Sequence, residues 1–374
     1  MKTRILLLFL FGVWAFSSCI KDEPLNPEAD MLSFSLPQHI MLSDPLFNRG
    51  QDDLTEVLIT ISKGENVSSL IPEITITEGA TIVPAIGTTQ DFTQPVTYTV
   101  TSQDGKQKRL YKVTLNSYMF YQSDFDNWDI YTNTIGTARY ELPFEYSEGD
   151  KNKIYIWSSS NRGVALYQQY LEPEKYPVFS AQSDGGKMAI LQTDLGPGNV
   201  MNIQYIPVVA GSLFTGTMDL ANAIKDPLSS TKFGVACDYR PDRLQGRYSY
   251  MAGSGSYIQK EDKGSIEIPN RKDSCALYGV FYKVDETLTQ LDGNNVITHP
   301  NIVAITEGRY RGSTPNGEMM NFDIPFVYKP GVEVDFSKNK YKLAVIFSSS
   351  YNGDLYSGTP GSKMRVDNVR VTRK

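Results

Sequence analysis

Histidine is nearly absent from this chain of 374 residues, which holds 2. A Ser-His-Asp triad, a zinc centre or a Cys-His pair would have to recruit His39 or His299. Neither has a cysteine or second histidine at ligand spacing, so both read as surface residues, His299 in the turn-like "THPNI". Cysteine is also scarce, at 3. No Walker loop or dinucleotide fingerprint is present, since Gly253 and Gly255 form no GxGxxG ahead of a helix. No run is long enough for a membrane helix of ~20 residues. No internal repeat is evident. Formal net charge is −6, which argues against nucleic acid and anionic membrane surfaces as partners.

What is present begins with a short basic start, Lys2 and Arg4, and an apolar stretch, "ILLLFLFGVWAF". That length suits a secretion signal over residues 1–18. Ser17 and Ser18 precede Cys19, and the segment resembles a bacterial lipoprotein signal whose cysteine becomes the lipidated N-terminus. The alternative is an ordinary signal cut near Ser18, with Cys19 a free thiol. Phe16 departs from the usual Leu or Val. "KDE" after Cys19 resembles the acidic export signal of lipoproteins displayed outside Bacteroidetes cells; a plain solvated linker is the other reading. The expected location is the outer membrane, held by a lipid anchor and facing outward. Taking Lys2 and Arg4 from the 36 Lys and Arg leaves 34 against 42 Asp and Glu, a mature charge of −8.

Beyond a tether over residues 19–30, strand signals dominate. "LTEVLITIS", "PEITITEG" and "VTYTVTSQDGKQKRLYKVTL" alternate apolar and polar residues. The last carries Asp104-Gly105, a hairpin signal, with Tyr98, Val100, Tyr111, Val113 and Leu115 expected on one face. Residues 31–116 therefore read as an Ig-like β-sandwich. From "NSYMFYQSDFDNWDIY" onward strands lengthen and turns become rich in Gly, Asn and Asp. About ten strand candidates and one helical piece, Asp219 to Ile224 stopped before Pro227, make residues 117–374 a larger jelly-roll β-sandwich. The fold class is all-β. Cys237 and Cys275 lie in two such strands, where a disulfide and two buried thiols are both open.

The second domain resembles the putative carbohydrate metabolism domain family of Bacteroidetes lipoproteins. The residues that carry this are "FDNWD", "AGSLFTGTM", "FGVACDYRPDRLQGRYSY", "DSCALYGVFYKV" and "YKLAVIFSSSYNGDLYSGTPGSKMRVDNVRV". "PEITITEGATIVPAIGTTQDFTQPVTYTVTSQDG" is similar to the Ig-like module that often precedes it. The resemblance implies a jelly roll similar to glycan-binding modules, acting in polysaccharide capture or metabolism. It also implies a structural Ca²⁺ site in which an early acidic residue, Asp126 or Asp124, meets Asp367 in the last strand.

Sugars are held by aromatic faces together with carboxylates, amides and arginines. Trp128 and Asp129 in "DFDNWDIY" suit a saccharide subsite, or else Trp128 closes the core. Trp157 reads as core. "SSSYNGDLYSGTPGSKM" offers Tyr351, Asn352, Asp354 and Tyr356 on a loop, while its glycines serve backbone shape. Arg247 and Tyr248 are further candidates, with internal pairing as the alternative for the arginines. Catalytic residues carry no local motif. A glycoside hydrolase or lyase would need a carboxylate pair, drawn from Asp126, Asp129, Glu307, Asp354 and Asp367. A structural or adhesive surface protein would need neither pair nor sugar site. Non-catalytic glycan binding is the favoured expectation.

Overall fold

The computed structural model describes residues 24–37, 40–41, 44–49, 53–132, 137–147, 152–220 and 223–374. The signal segment, Cys19 and His39 lie outside the described residues.

Among the described residues the first domain has seven strands: β1 (Met31–Ser35), β2 (Leu46–Arg49), β3 (Leu54–Ser62), β4 (Glu73–Ile76), β5 (Thr81–Val83), β6 (Val96–Thr101) and β7 (Lys108–Tyr118). Five of them form a sheet in the order β2-β3-β7-β6-β5, and β1 pairs with β4 separately. Strands β3 and β7 run parallel, from Leu54↔Leu110 to Ser62↔Tyr118. The alternation read from the sequence puts Tyr98, Val100, Tyr111 and Val113 in one core, with Leu115 partly buried against it. The Asp104 turn is longer than a two-residue hairpin, because pairing of β6 with β7 starts only at Thr101↔Lys108. Asp104 accepts from Ser102 Oγ and Lys106 N, and Gly105 takes φ 71. The side chain thus completes a six-residue turn that the dipeptide alone does not reveal.

The second domain is built on β8 (Trp157–Ser159), β9 (Val178–Ser183), β10 (Gly186–Gln192), β11 (Ser212–Met218), β12 (Pro241–Met251), β13 (Cys275–Val284), β14 (Ile302–Thr306), β15 (Met320–Tyr328), β16 (Lys340–Ser348) and β17 (Lys363–Arg373). They hydrogen-bond in the order β8-β11-β16-β13-β14-β15-β12-β17-β10-β9. This long ladder folds over on itself. Leu277, Phe281, Leu343, Val345 and Phe347 of one half meet Leu244, Tyr250, Ile324, Met364 and Val366 of the other in a shared core. That is the jelly-roll sandwich, with apolar residues of both inner faces removed from water. Trp157 is 2% exposed and packs against Phe120, Phe125 and Phe347, as a core residue.

The expected helix is corrected. Among the described residues of that stretch, 223–225 form turns, and the helical turn is Pro227–Ser230. Asp226 caps it through Ser229 N, and Pro227 sits where the missing N–H costs nothing. Pro227 starts the helix instead of stopping one.

The two domains share a seam. Leu46 and Leu58 pack with Phe144 and Tyr155. Asp44 pairs with Arg162 at 2.5 Å and also accepts from Met218 N. Burial pushes the Asp44 carboxyl up, against the lowering pull of Arg162. Burial alone would lower Arg162, but Asp44 and two tyrosines hold it above its usual value. Arg162 keeps its charge beside Asp44, because a guanidinium stays protonated even when buried. Tyr155 N donates to Thr60 Oγ1 at 3.1 Å, and Lys340 reaches Glu65 at 2.8 Å.

Candidate binding site

Each outer face of the sandwich carries a cavity. In β16 the side chains of Leu343, Val345 and Phe347 enter the core. Period-two alternation therefore turns Ala344 and Ile346 outward. Ile346 joins Phe214 of β11 and Ala276 and Tyr278 of β13 in a second apolar cluster on that outer face. Together they floor a cavity of about 380 Å³. Its walls come from the turn Asn161–Val164, from Ala223 to Thr231, and from Val296 and Ile297. Residues 351–356 line it too, including Tyr351, Asn352, Asp354 and Tyr356.

That loop is held in place by a residue the sequence analysis did not single out. Asp273 is 5% exposed. Its Oδ2 accepts from Ser350 Oγ at 2.5 Å, Thr359 N at 2.8 Å and Ser362 Oγ at 3.0 Å. Its Oδ1 accepts from Ser274 N. One buried carboxylate thus ties both ends of the loop to the segment that leads into β13, as charge-assisted bonds do well. Thr193 Oγ1 adds bonds of 2.7 Å to Ser349 and Ser350. A Cβ on Gly358 would lie 2.3 Å from Ser350 Oγ, so only glycine lets the loop close over this network. Tyr356 takes φ 52, an uncommon conformation for tyrosine, and its ring lies under Lys260 Nζ at 4.8 Å.

The loop's polar groups have company. Burial raises the Tyr278 phenol, with Asp354 adding to the rise and Arg309 opposing it. Asp354 is exposed as a residue, yet enough protein surrounds its carboxyl to raise it by desolvation, and water tempers that rise. Tyr356 is pushed up to about 12 by burial. Asn352 Nδ2 donates to Tyr257 Oη at 2.9 Å. Among the described residues, Asp354 is the one carboxylate lining this cavity.

The opposite face holds an open polar groove of about 500 Å³ between β12, β15 and β17, where Arg247 lies with Asn321, Asn368 and Arg370. Arg247 is 3.9 Å from Asp367. Tyr248 is half-buried, edge-on to Phe322, and lines neither cavity.

Trp128 and Asp129 line neither cavity. Trp128 is half-buried against the core, and its Nε1 donates to Phe125 O at 2.6 Å. Asp129 accepts from Lys153 Nζ at 2.7 Å and Tyr155 Oη at 2.5 Å. Both are occupied in packing, because the short hairpin that carries them folds back on the sandwich. Cys237 and Cys275 are buried free thiols, each pushed up to about 12 by burial, which corrects the disulfide alternative. Asp126 and Asp367 do come close enough to interact. Their oxygens face protein groups: Asp126 accepts from Lys187 N at 2.7 Å and Asp367 from Ser183 Oγ at 3.3 Å. Calcium needs six to eight oxygens. Among the described residues no three His, Cys, Asp or Glu gather to hold a metal, and the Arg247 cation stands beside Asp367. His299 is half-buried in its turn, its Nδ1 accepting from Asn301 N.

The family described as "Putative carbohydrate metabolism domain" matches residues 124–372, and "SGBP, N-terminal" matches residues 50–115. A crystal structure of a putative glycoside hydrolase from Bacteroides thetaiotaomicron is 31% identical, with TM-score 0.72, covering 95% of this chain and 99% of that one. Another, from Bacteroides vulgatus, is 28% identical, with TM-score 0.59, covering 68% of this chain and 98% of that one. No curated protein matches the sequence.

Proposed function

Since this chain belongs to the putative carbohydrate metabolism domain family, we propose that its jelly roll captures glycans in the cavity roofed by residues 351–356. The observation that carries the reading is the gathering of Tyr351, Asn352, Asp354 and Tyr356 on one pocket of small-molecule size. Tyrosine faces supply contact area to a sugar ring, and the amide, carboxylate and Arg309 meet its hydroxyls. A single lining carboxylate favours binding over hydrolysis in this pocket, because glycosidases use a pair. We further propose that Cys19 carries the lipid anchor, and that the Ig-like domain, docked through the Asp44–Arg162 seam, holds the jelly roll away from the outer membrane on the outward side. The sequence motifs of residues 1–23 support this part.

The test is a glycan array with soluble protein comprising residues 20–374, followed by calorimetry with each glycan retained. Tyr356→Ala should weaken binding about tenfold or more while the protein stays folded. A folded Tyr356→Ala protein with unchanged affinity removes this pocket from consideration.

A second reading, hydrolysis, has one observation in its favour. Glu145 is pushed up to about 7 by burial, opposed by the Ser123 hydroxyl bond and reinforced by Asp124 and Asp126. Ser123 and Asp124 line the polar groove, and a carboxyl protonated near neutrality suits a general acid. Release of reducing ends from a retained glycan, abolished in Glu145→Gln, would support hydrolysis; no release from any retained glycan eliminates it.

A further inference from the structure

The 380 Å³ cavity divides into two zones with different chemistry. Its floor residues Phe214, Ile346 and Ala276 are apolar, and Met218 with the wall residues Leu228 and Val296 continue that apolar surface. The hydroxyls set among them already donate to protein carbonyls. Ser230 Oγ donates to Pro227 O at 2.7 Å, Thr231 Oγ1 to Leu228 O at 3.0 Å, and Ser348 Oγ to Ser350 O at 2.9 Å. Ser160 Oγ accepts from Ser212 N at 3.1 Å. The open hydrogen-bonding capacity lies toward the rim, with Asp354, Arg309 and Tyr351, all three of which act electrostatically on the buried Tyr278 phenol that rises from the floor.

An unsubstituted pyranose carries hydroxyls around its whole edge. Pushed to the floor, it would leave several of them without partners, and an unpaired buried hydroxyl is strongly disfavoured. Left at the rim alone, it would leave the apolar floor unfilled and gain nothing from it. A ligand that satisfies both zones is amphipathic. Resting on the glycan reading above, we infer that the pocket selects a saccharide bearing an apolar substituent, an acyl or aryl group, with the sugar ring at the tyrosine rim and the substituent against Phe214 and Ile346.

The experiment compares matched probes by calorimetry: methyl and para-nitrophenyl glycosides of the same hexoses, one oligosaccharide with and without O-acetyl groups, and decanoate as an apolar probe without sugar. The substituted member of a pair should bind at least about tenfold tighter. Ala276→Phe, which fills the floor, should erase that advantage, and Tyr356→Ala should weaken both members alike. Leu228→Trp fills the apolar zone from the helical turn Pro227–Ser230 and replaces Ala276→Phe if that strand variant does not fold. Equal affinity for both members, lost in Tyr356→Ala but indifferent to floor filling, overturns this inference and leaves the glycan reading standing. Decanoate bound with no sugar of either kind, or no probe bound at all, overturns both.

Discussion

Replacing Asp273 with alanine tests whether one buried carboxylate holds the proposed pocket together. Asp273 is not among the residues lining the cavity; it acts through Ser350, Thr359 and Ser362. Hydrogen bonds to a charged partner are worth ~1.5–3 kcal/mol each. Three donors share one oxygen, so their contributions overlap, and the expected loss is about 3–5 kcal/mol. That is a large part of the roughly 5–15 kcal/mol that holds a domain folded. Asp273→Asn keeps an acceptor and loses the charge, so it should cost about 1–2 kcal/mol. Urea unfolding supplies the stability, and calorimetry with a retained glycan supplies the function. Asp273→Ala should lose binding by at least about tenfold at urea concentrations where the domain is still folded, with Asp273→Asn between it and the unaltered protein. A loss below about 1 kcal/mol together with full-strength binding would show that the loop holds its shape without Asp273, and the positioning role would be wrong.

Lys342 is 2% exposed, its Nζ has no hydrogen-bond partner among the described residues, and burial lowers it from 10.5 to about 7, with Glu65 pulling the other way. The unfolded chain binds this proton more tightly than the fold does, so stability should fall as pH drops from 10.5 toward 7, and Lys342→Met should stabilise by up to about 4 kcal/mol at pH 7; a methionine variant no more stable at pH 7 refutes the neutral lysine. Glu145 runs the other way. Raised from 4.5 to about 7, it keeps its proton in the fold where the unfolded chain has lost it, so stability should decline as pH rises through that window. Glu145→Gln should flatten the decline, by up to about 2 kcal/mol after solvent screening; an unchanged pH slope in thermal melts contradicts this. Arg162→Met leaves the Asp44 carboxylate buried without its partner and should cost about 3–5 kcal/mol, read as earlier separation of the two domains in limited proteolysis; an unaltered cleavage pattern means the seam holds without the pair. Blocking neither Cys237 nor Cys275 should be possible in the folded protein, because both are buried thiols held protonated; rapid labelling of either by a thiol reagent contradicts their burial.

The sequence by itself determined the two-sandwich plan. The strand pattern in "LTEVLITIS" became β3 residue for residue, and Tyr98, Val100, Tyr111 and Val113 entered one core as their period demanded. It also marked the loop of Tyr351, Asn352, Asp354 and Tyr356, whose hydroxyls and glycines mark a turn between two long strands. Alternation is a local property, so local reading suffices for it. What only the tertiary structure decided is which of those side chains share a space. Trp128 and Asp129 looked as suited to a sugar as Tyr356, but the hairpin that carries them turns Trp128 toward Phe125 and Asp129 toward Lys153. Asp273, 77 residues from Ser350 in the chain, carries no mark of its role in "RKDSC". Tyr278 and Ile346 read only as members of buried strands, until the ladder folded over and left their face roofed by loops from elsewhere. The physical reason is the same in each case. Strand formation follows from neighbours in the chain, whereas a pocket and its hydrogen-bond anchor arise from contacts across long separations, which the order of residues does not encode one at a time.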